Sequence, residues 1–246
     1  MNGSIRCGNL LGIPFYIHPS WFFVLGWLSL VFGANLADNS ESKGGLSVLL
    51  GFVCALLFFA SIVASVLVRN FIGIRWGWNI KSISLLLFGS QCQTAISNPE
   101  LYTPAAEFWV AITGPAVNLW LFALLMVIGV NPRFSQPLAA LVKQLAESNL
   151  IFALFNLLPL SSLAGGEILK SLVWKVTGSQ YKGKIFAIRI TQLVCGVAIV
   201  LGLLSVLGIT SILELGIFGS VWIILIFGFL FLQANNSLKM AEIEKK

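Results

Sequence analysis

The sequence predicts an α-helical polytopic membrane protein with about six transmembrane helices, a short β-hairpin or sheet between helices 2 and 3, and a break in helix 4. Three observations carry that prediction. Hydrophobic residues fill 58% of the 246 positions and charged residues only 10%, where a soluble domain carries about 25% charge. The mean hydropathy is +0.94. A bilayer core demands roughly 20 apolar residues per helix, and such runs fall at 19–34, 46–68, 106–130, 138–158, 185–208 and 215–235. No Pro/Ser-rich linker or polar block separates them, so residues 1–246 read as one membrane-embedded domain without a separate soluble one.

The first run follows the segment Ile13 to Pro19 and has no small-residue cleavage site at its end, unlike a cleaved signal peptide. Within the second, Ser61 and Ser65 lie four apart on one helical face, ahead of Arg69. That spacing fits helix packing, and no histidine or lysine base lies near in sequence. Beyond it Ile74, Trp76, Trp78 and Ile80 alternate with Arg75, Gly77, Asn79 and Lys81, the period of a strand with one wet face. A further apolar run, Ile83 to Phe88, stops at Gly89-Ser90. Together these predict a short sheet at the cytoplasmic surface, with both tryptophans at headgroup depth. A hairpin packed on a soluble-style core would give the same pattern.

The third run opens with Glu107-Phe-Trp, is loosened by Gly114-Pro115, and contains Asn118. That amide serves either as glue between helices, for about 1 kcal/mol, or as part of a site. Lys143, Glu147 and Asn149 interrupt the fourth run, which ends at Asn156-Leu-Leu-Pro159. Proline lacks the helical N–H and glycine admits positive φ, so Pro159, Gly165 and Gly166 predict a helix break. At membrane depth such backbone is tolerated only inside protein or along a wet cavity. A helix over 166–177 then presents Leu169, Leu172, Val173 and Val176 on one face and lies at the interface. Glu167 in its first turn suits the helix dipole, with a proton-relay role as the alternative.

Six spans place twelve of the fifteen basic residues on one side and only Lys43, Arg133 and Lys143 on the other. Lys and Arg collect in cytoplasmic loops, so both termini are expected there. The formal charge of +6 then reflects topology, and nucleic acid is not expected as a partner. Cys7, Cys54, Cys92 and Cys195 form no Cys-x-x-Cys pair and read as small buried hydrophobes.

The order of these features resembles the site-2 protease family of intramembrane zinc metalloproteases (peptidase M50-like) along nearly the whole chain. Ile13 to Trp21 is similar to that family's approach to its first helix. Glu107 to Asn118 resembles its third helix, and Asn156-Leu-Leu-Pro followed by Leu163-Ala-Gly-Gly resembles the segment that supplies its third zinc ligand. The resemblance implies a His-Glu-x-x-His on the second helix, two zinc ligands and a general base, with a Leu-Asp-Gly later. Here the five positions read Ala60-Ser61-Ile62-Val63-Ala64, and Ala164 stands where the aspartate would be. The chain holds one histidine, His18, and one aspartate, Asp38, and no register makes two histidines and an aspartate from these. His18, before Pro19, reads as an interfacial side chain.

On these grounds the sequence predicts a catalytically inactive homologue without a cofactor. Its expected role is to bind a membrane partner helix or strand, regulating a protease or helping a membrane complex assemble, in contact with lipid. The expected cleft comprises Trp76, Trp78, Ile80, Asn118, Asn156, Pro159, Gly165 and Gly166, and a strand edge there would grip an extended segment by main-chain pairing. Two alternatives stand beside it. Eight tryptophans and nineteen phenylalanines suit a structural or pigment-associated subunit of a larger assembly. Ser61, Ser161, Ser162 and Cys54 are the nucleophiles open to a hydrolase without zinc.

Overall fold

The computed structural model describes residues 5–10, 13–39, 44–86, 89–96, 101–131, 133–208 and 216–244. Six of its helices are long and apolar enough to cross a membrane, as the apolar runs predict. The chain divides into two compact units, residues 1–156 and 157–246.

The first unit begins with strands β1 (Ile5–Leu10) and β2 (Ile13–Ile17), followed by helices α1 (Ser20–Asn39) and α2 (Gly45–Arg75). Next come strands β3 (Trp78–Leu86) and β4 (Gly89–Ile96), then helices α3 (Pro104–Gly129) and α4 (Gln136–Asn156). The strands form one sheet in the order β1-β2-β3-β4. Pairing is antiparallel for β1-β2 and β3-β4 and parallel for β2-β3, where Phe15 lies opposite Ile83.

The apolar core of this unit is built from α1, α2 and α4, with Trp21, Phe32, Leu36, Phe58, Ile62, Leu141 and Leu145 buried together and Phe15 and Ile80 reaching in from the sheet. Phe58 stands edge-on to Phe32 and to Phe152, an arrangement the ring quadrupole favours. At the α1–α2 crossing, a Cβ on Gly51 would overlap the backbone of Ser29 and Gly33, so the glycine permits close approach, the usual device of membrane helix pairs.

Two expectations for the sheet need correction. Residues 74–75 end α2 and 76–77 turn, so the strand starts at Trp78 and not at Ile74. The turn is fixed by Gly77, whose φ of 79° suits glycine, and by the Trp78 ring folding back over Gly73. The sheet is also four-stranded, because β1 and β2 precede the first span, pair with each other, and join the predicted hairpin through β2 and β3.

The second unit holds α5 (Ala164–Thr177), α6 (Gln180–Val206) and α7 (Gly216–Glu244). Its helices are tied by polar pairs: the Gln192 amide donates to Asn235 Oδ1 at 2.6 Å, and Ser220 Oγ to Ser205 Oγ at 2.8 Å. Ser179 caps α6 by accepting from the Lys182 N–H, and Gly178 ends α5 in the left-handed conformation.

Candidate functional site

The α2 stretch at 60–64 carries the first half of the expected degenerate site. Ala60 and Ala64 are exposed and Ser61 is half-buried. Ser61 Oγ donates to the Phe58 carbonyl at 2.7 Å, and Ser65 Oγ to the Ile62 carbonyl at 2.8 Å. Both hydroxyls are spent on their own helix, as serines in spanning helices commonly are. Two methyls and a bonded hydroxyl supply no metal ligand there.

The single histidine and single aspartate do not compensate. His18 sits just before α1, where its Nδ1 is 2.9 Å from Ser20 Oγ and accepts from the Ser20 N–H at 3.3 Å, a local cap on the helix start. Asp38 is exposed near the other end of α1, roughly 30 Å away at 1.5 Å per residue. Among the described residues, no group of three or more His, Cys, Asp or Glu is placed to hold a metal ion. The zinc implied by the family resemblance therefore does not fit the residues present, and no chemical step is routed through it.

The break expected around Asn156 to Gly166 is present. Asn156 ends α4 and its amide donates back to the Phe152 carbonyl at 2.9 Å. In the second unit, residues 157–163 turn without helix before α5 starts at Ala164. The backbone of Ser161 donates to Thr191 Oγ1 of α6 at 2.7 Å, and that hydroxyl donates to the Ala187 carbonyl at 2.8 Å. A Cβ on Gly165 would overlap the Leu157 and Leu158 carbonyl oxygens, and one on Gly166 that of Leu160. The two glycines thus let the first turn of α5 press against the preceding bend. Ala164, Gly165 and Gly166 are buried, and Pro159 is half-buried beside them.

In the first unit, Trp76 is half-buried at the end of α2, and the Trp78 ring packs 6.3 Å from Tyr102. Ile80 is 6% exposed. Asn118 is 1% exposed, its amide bonded to the Gly114 carbonyl at 3.2 Å. Its Oδ1 has no hydrogen-bond partner among the described residues. Sequence reasoning missed the burial of Glu107, which is 5% exposed in the first turn of α3. The signal was available, since Thr103-Pro104 is a helix start and a carboxylate is favoured just inside one. It also missed a cavity of about 640 Å³ among α1, α3 and α4.

No family model matches the chain. A Synechocystis protein is 42% identical over 246 residues, all of this chain and 62% of its own length, and a Mycobacterium tuberculosis protein is 31% identical over 241 residues, 96% of this chain and 59% of its own. Both carry the name putative zinc metalloprotease (sll0528 and Rip3). Zinc metalloprotease MJ0392 of Methanocaldococcus jannaschii is 25% identical over 99% of this chain and 63% of its own length. The chain thus spans about three-fifths of the length of these relatives. Among solved structures, the site-2 protease from Methanocaldococcus jannaschii matches with a TM-score of 0.55 and 23% identity, covering 95% of this chain and 94% of that one, a likeness of fold.

These relatives overturn one expectation. The prediction of an inactive homologue that is no enzyme and serves as a partner-binding or assembly protein finds no support, because relatives at 42% and 31% identity are named as enzymes. The pigment-associated alternative has no support among them either. Along its entire length the chain is thus similar to proteins named as putative zinc metalloproteases, and its six spanning helices and small sheet have the fold of a site-2 protease.

Proposed function

We propose that the chain works in the proteolysis of membrane-embedded polypeptides, the activity for which its relatives are named, and that it receives an extended substrate segment on the outer edge of β4. The observation that supports this most directly is the sheet order, which leaves β4 at an edge of a sheet whose neighbouring strand β3 packs against the spanning helices α2 and α1. An edge strand carries a row of unpaired N–H and C=O groups, and an extended segment adds to it by main-chain hydrogen bonds irrespective of sequence. A spanning helix must unwind to expose a peptide bond to attack, and the edge offers its freed backbone groups new partners. In this reading Trp76, Trp78 and Ile80 set where β3 begins and hence the register it imposes on β4. Asn118 steadies α3 through its bond to the Gly114 carbonyl. Asn156, Pro159, Gly165 and Gly166 shape the break after α4. No hydrolytic role falls to Ala60, Ser61, Ala64 or Ala164, whose side chains bring no ligand, base or free nucleophile.

The proposal extends to topology: residues 1–246 act as one membrane-embedded domain with both termini cytoplasmic, the orientation favoured by twelve basic residues against three. The test is a proline scan of Gln91, Cys92, Gln93 and Thr94 in proteoliposomes holding a membrane-spanning reporter. Proline removes a backbone donor. Outward-facing N–H groups alternate along a strand, so reporter cleavage should fall at every second position. Absence of cleavage by the unaltered chain, or equal loss at all four positions, would overturn the reading.

A further inference from the structure

The cavity among α1, α3 and α4 has no part in the reading above. It measures about 640 Å³, within the usual range for small-molecule sites. It opens where α1 and α3 end and α4 begins, the end of these helices remote from the sheet. Its wall changes character across its width: Leu125, Met126 and Phe134 are apolar, whereas Asn131, Lys143 and Glu147 are polar or charged. Lys143 Nζ stands 3.8 Å from Glu147 Oε1, with the two side chains 68% and 48% exposed. That separation is too long for a hydrogen bond, so each charge keeps bonding capacity toward the cavity.

Charges inside a spanning helix are costly and call for a partner, and both lie within the fourth span. We propose that this cavity binds the zwitterionic headgroup of a membrane phospholipid, phosphate toward Lys143 and Asn131 and ammonium toward Glu147, with the upper acyl chain along Leu125 and Met126. The opposite charges sit four residues apart on α4, about one helical turn, which matches the short linker between phosphate and ammonium. An anionic headgroup would offer its phosphate to Lys143 but no cation to Glu147. The apolar wall distinguishes a lipid from a free phosphate ester, which would leave it unfilled.

The test is native mass spectrometry of the detergent-solubilised chain with equal amounts of short-chain phosphatidylethanolamine and phosphatidylglycerol, and separately with phosphoethanolamine alone. The expected result is one phosphatidylethanolamine per chain, retained at least tenfold over phosphatidylglycerol, with phosphoethanolamine not retained. Lys143→Ala should cut retention at least tenfold, and Glu147→Lys should shift preference to the anionic lipid. Equal retention of both lipids, no adduct, retention of phosphoethanolamine as strong as that of the lipid, or unchanged preference in the variants would overturn the proposal. Headgroup selectivity of the unaltered chain decides the matter if a variant does not fold.

Discussion

At Ser61 the side chain is committed to its own helix. Its hydroxyl bonds to the Phe58 carbonyl of its own helix, so Ser61→Ala should change stability by less than about 1 kcal/mol and leave reporter cleavage unaltered. A Ser61→Ala chain that folds normally but cleaves nothing would instead assign the hydroxyl a chemical role. The glycines make the opposite prediction. A Cβ on Gly165 meets two carbonyl oxygens, whereas one on Gly228 of α7 meets nothing within 4 Å. Gly165→Ala should therefore destabilise the fold by about 1–3 kcal/mol, and Gly228→Ala should be neutral or stabilising by up to about 1 kcal/mol, read as paired melting curves in detergent. At this scale the sequence was informative wherever chemistry depended on residue type. One histidine and one aspartate exclude the family's ligand set in any register, and the structure adds that they lie at opposite ends of α1. Packing reasons were hidden, because Gly165 and Gly166 match the family pattern without revealing that the backbone of 157–161 presses on them.

Among elements, the bend between α4 and α5 is tied to α6 by a buried hydroxyl, Thr191, which is 1% exposed and accepts from the Ser161 N–H. Thr191→Val keeps the shape and strands that donor, so it should cost about 1–3 kcal/mol. Hydrogen exchange should show faster exchange confined to the bend, and uniform exchange across α6 would contradict the tether. The spanning helices were legible because an apolar run of 20 residues has few other uses in a protein. The predicted run at 46–68 and the helix at 45–75 differ mainly in the last two turns, where Arg69, Asn70 and Arg75 hid the continuation. The sheet was half legible. Strand β1, IRCGNL, lacks alternation and contains a bulge between Arg6 and Gly8. Strand β2 is five residues long and contains Pro14, which local pattern demotes. β1 pairs only with its neighbour β2, and β2 joins the rest of the sheet through its parallel pairing with β3 across α1 and α2, a non-local pairing that leaves no mark on a short window. In the same way Arg75 to Gly77 alternates like a strand and is a helix end and turn, because Gly77 takes a positive φ and Trp78 folds over Gly73.

The whole molecule combines a membrane-embedded fold like that of a site-2 protease with a sheet edge proposed to hold substrate in extended form. The orientation is open to direct test: a cysteine in place of Arg133 should react with an impermeant maleimide from outside sealed cells, and one in place of Lys182 only after permeabilisation. Labelling in the reverse order would invert the assigned topology. The site-2 protease fold was legible from the order of motifs along the chain, but the inference from missing ligands to an inactive partner-binding protein was not sustained by the relatives. The central claim is tested most directly by photocrosslinking. A benzophenone amino acid at Gln93 of β4, in proteoliposomes with a membrane-spanning reporter, should crosslink to one short stretch of the reporter adjoining its cleavage site. The same label at Trp120 of α3, an exposed spanning position, should not. Crosslinks absent from β4, or equally frequent from Trp120, would contradict a substrate seated on the sheet edge.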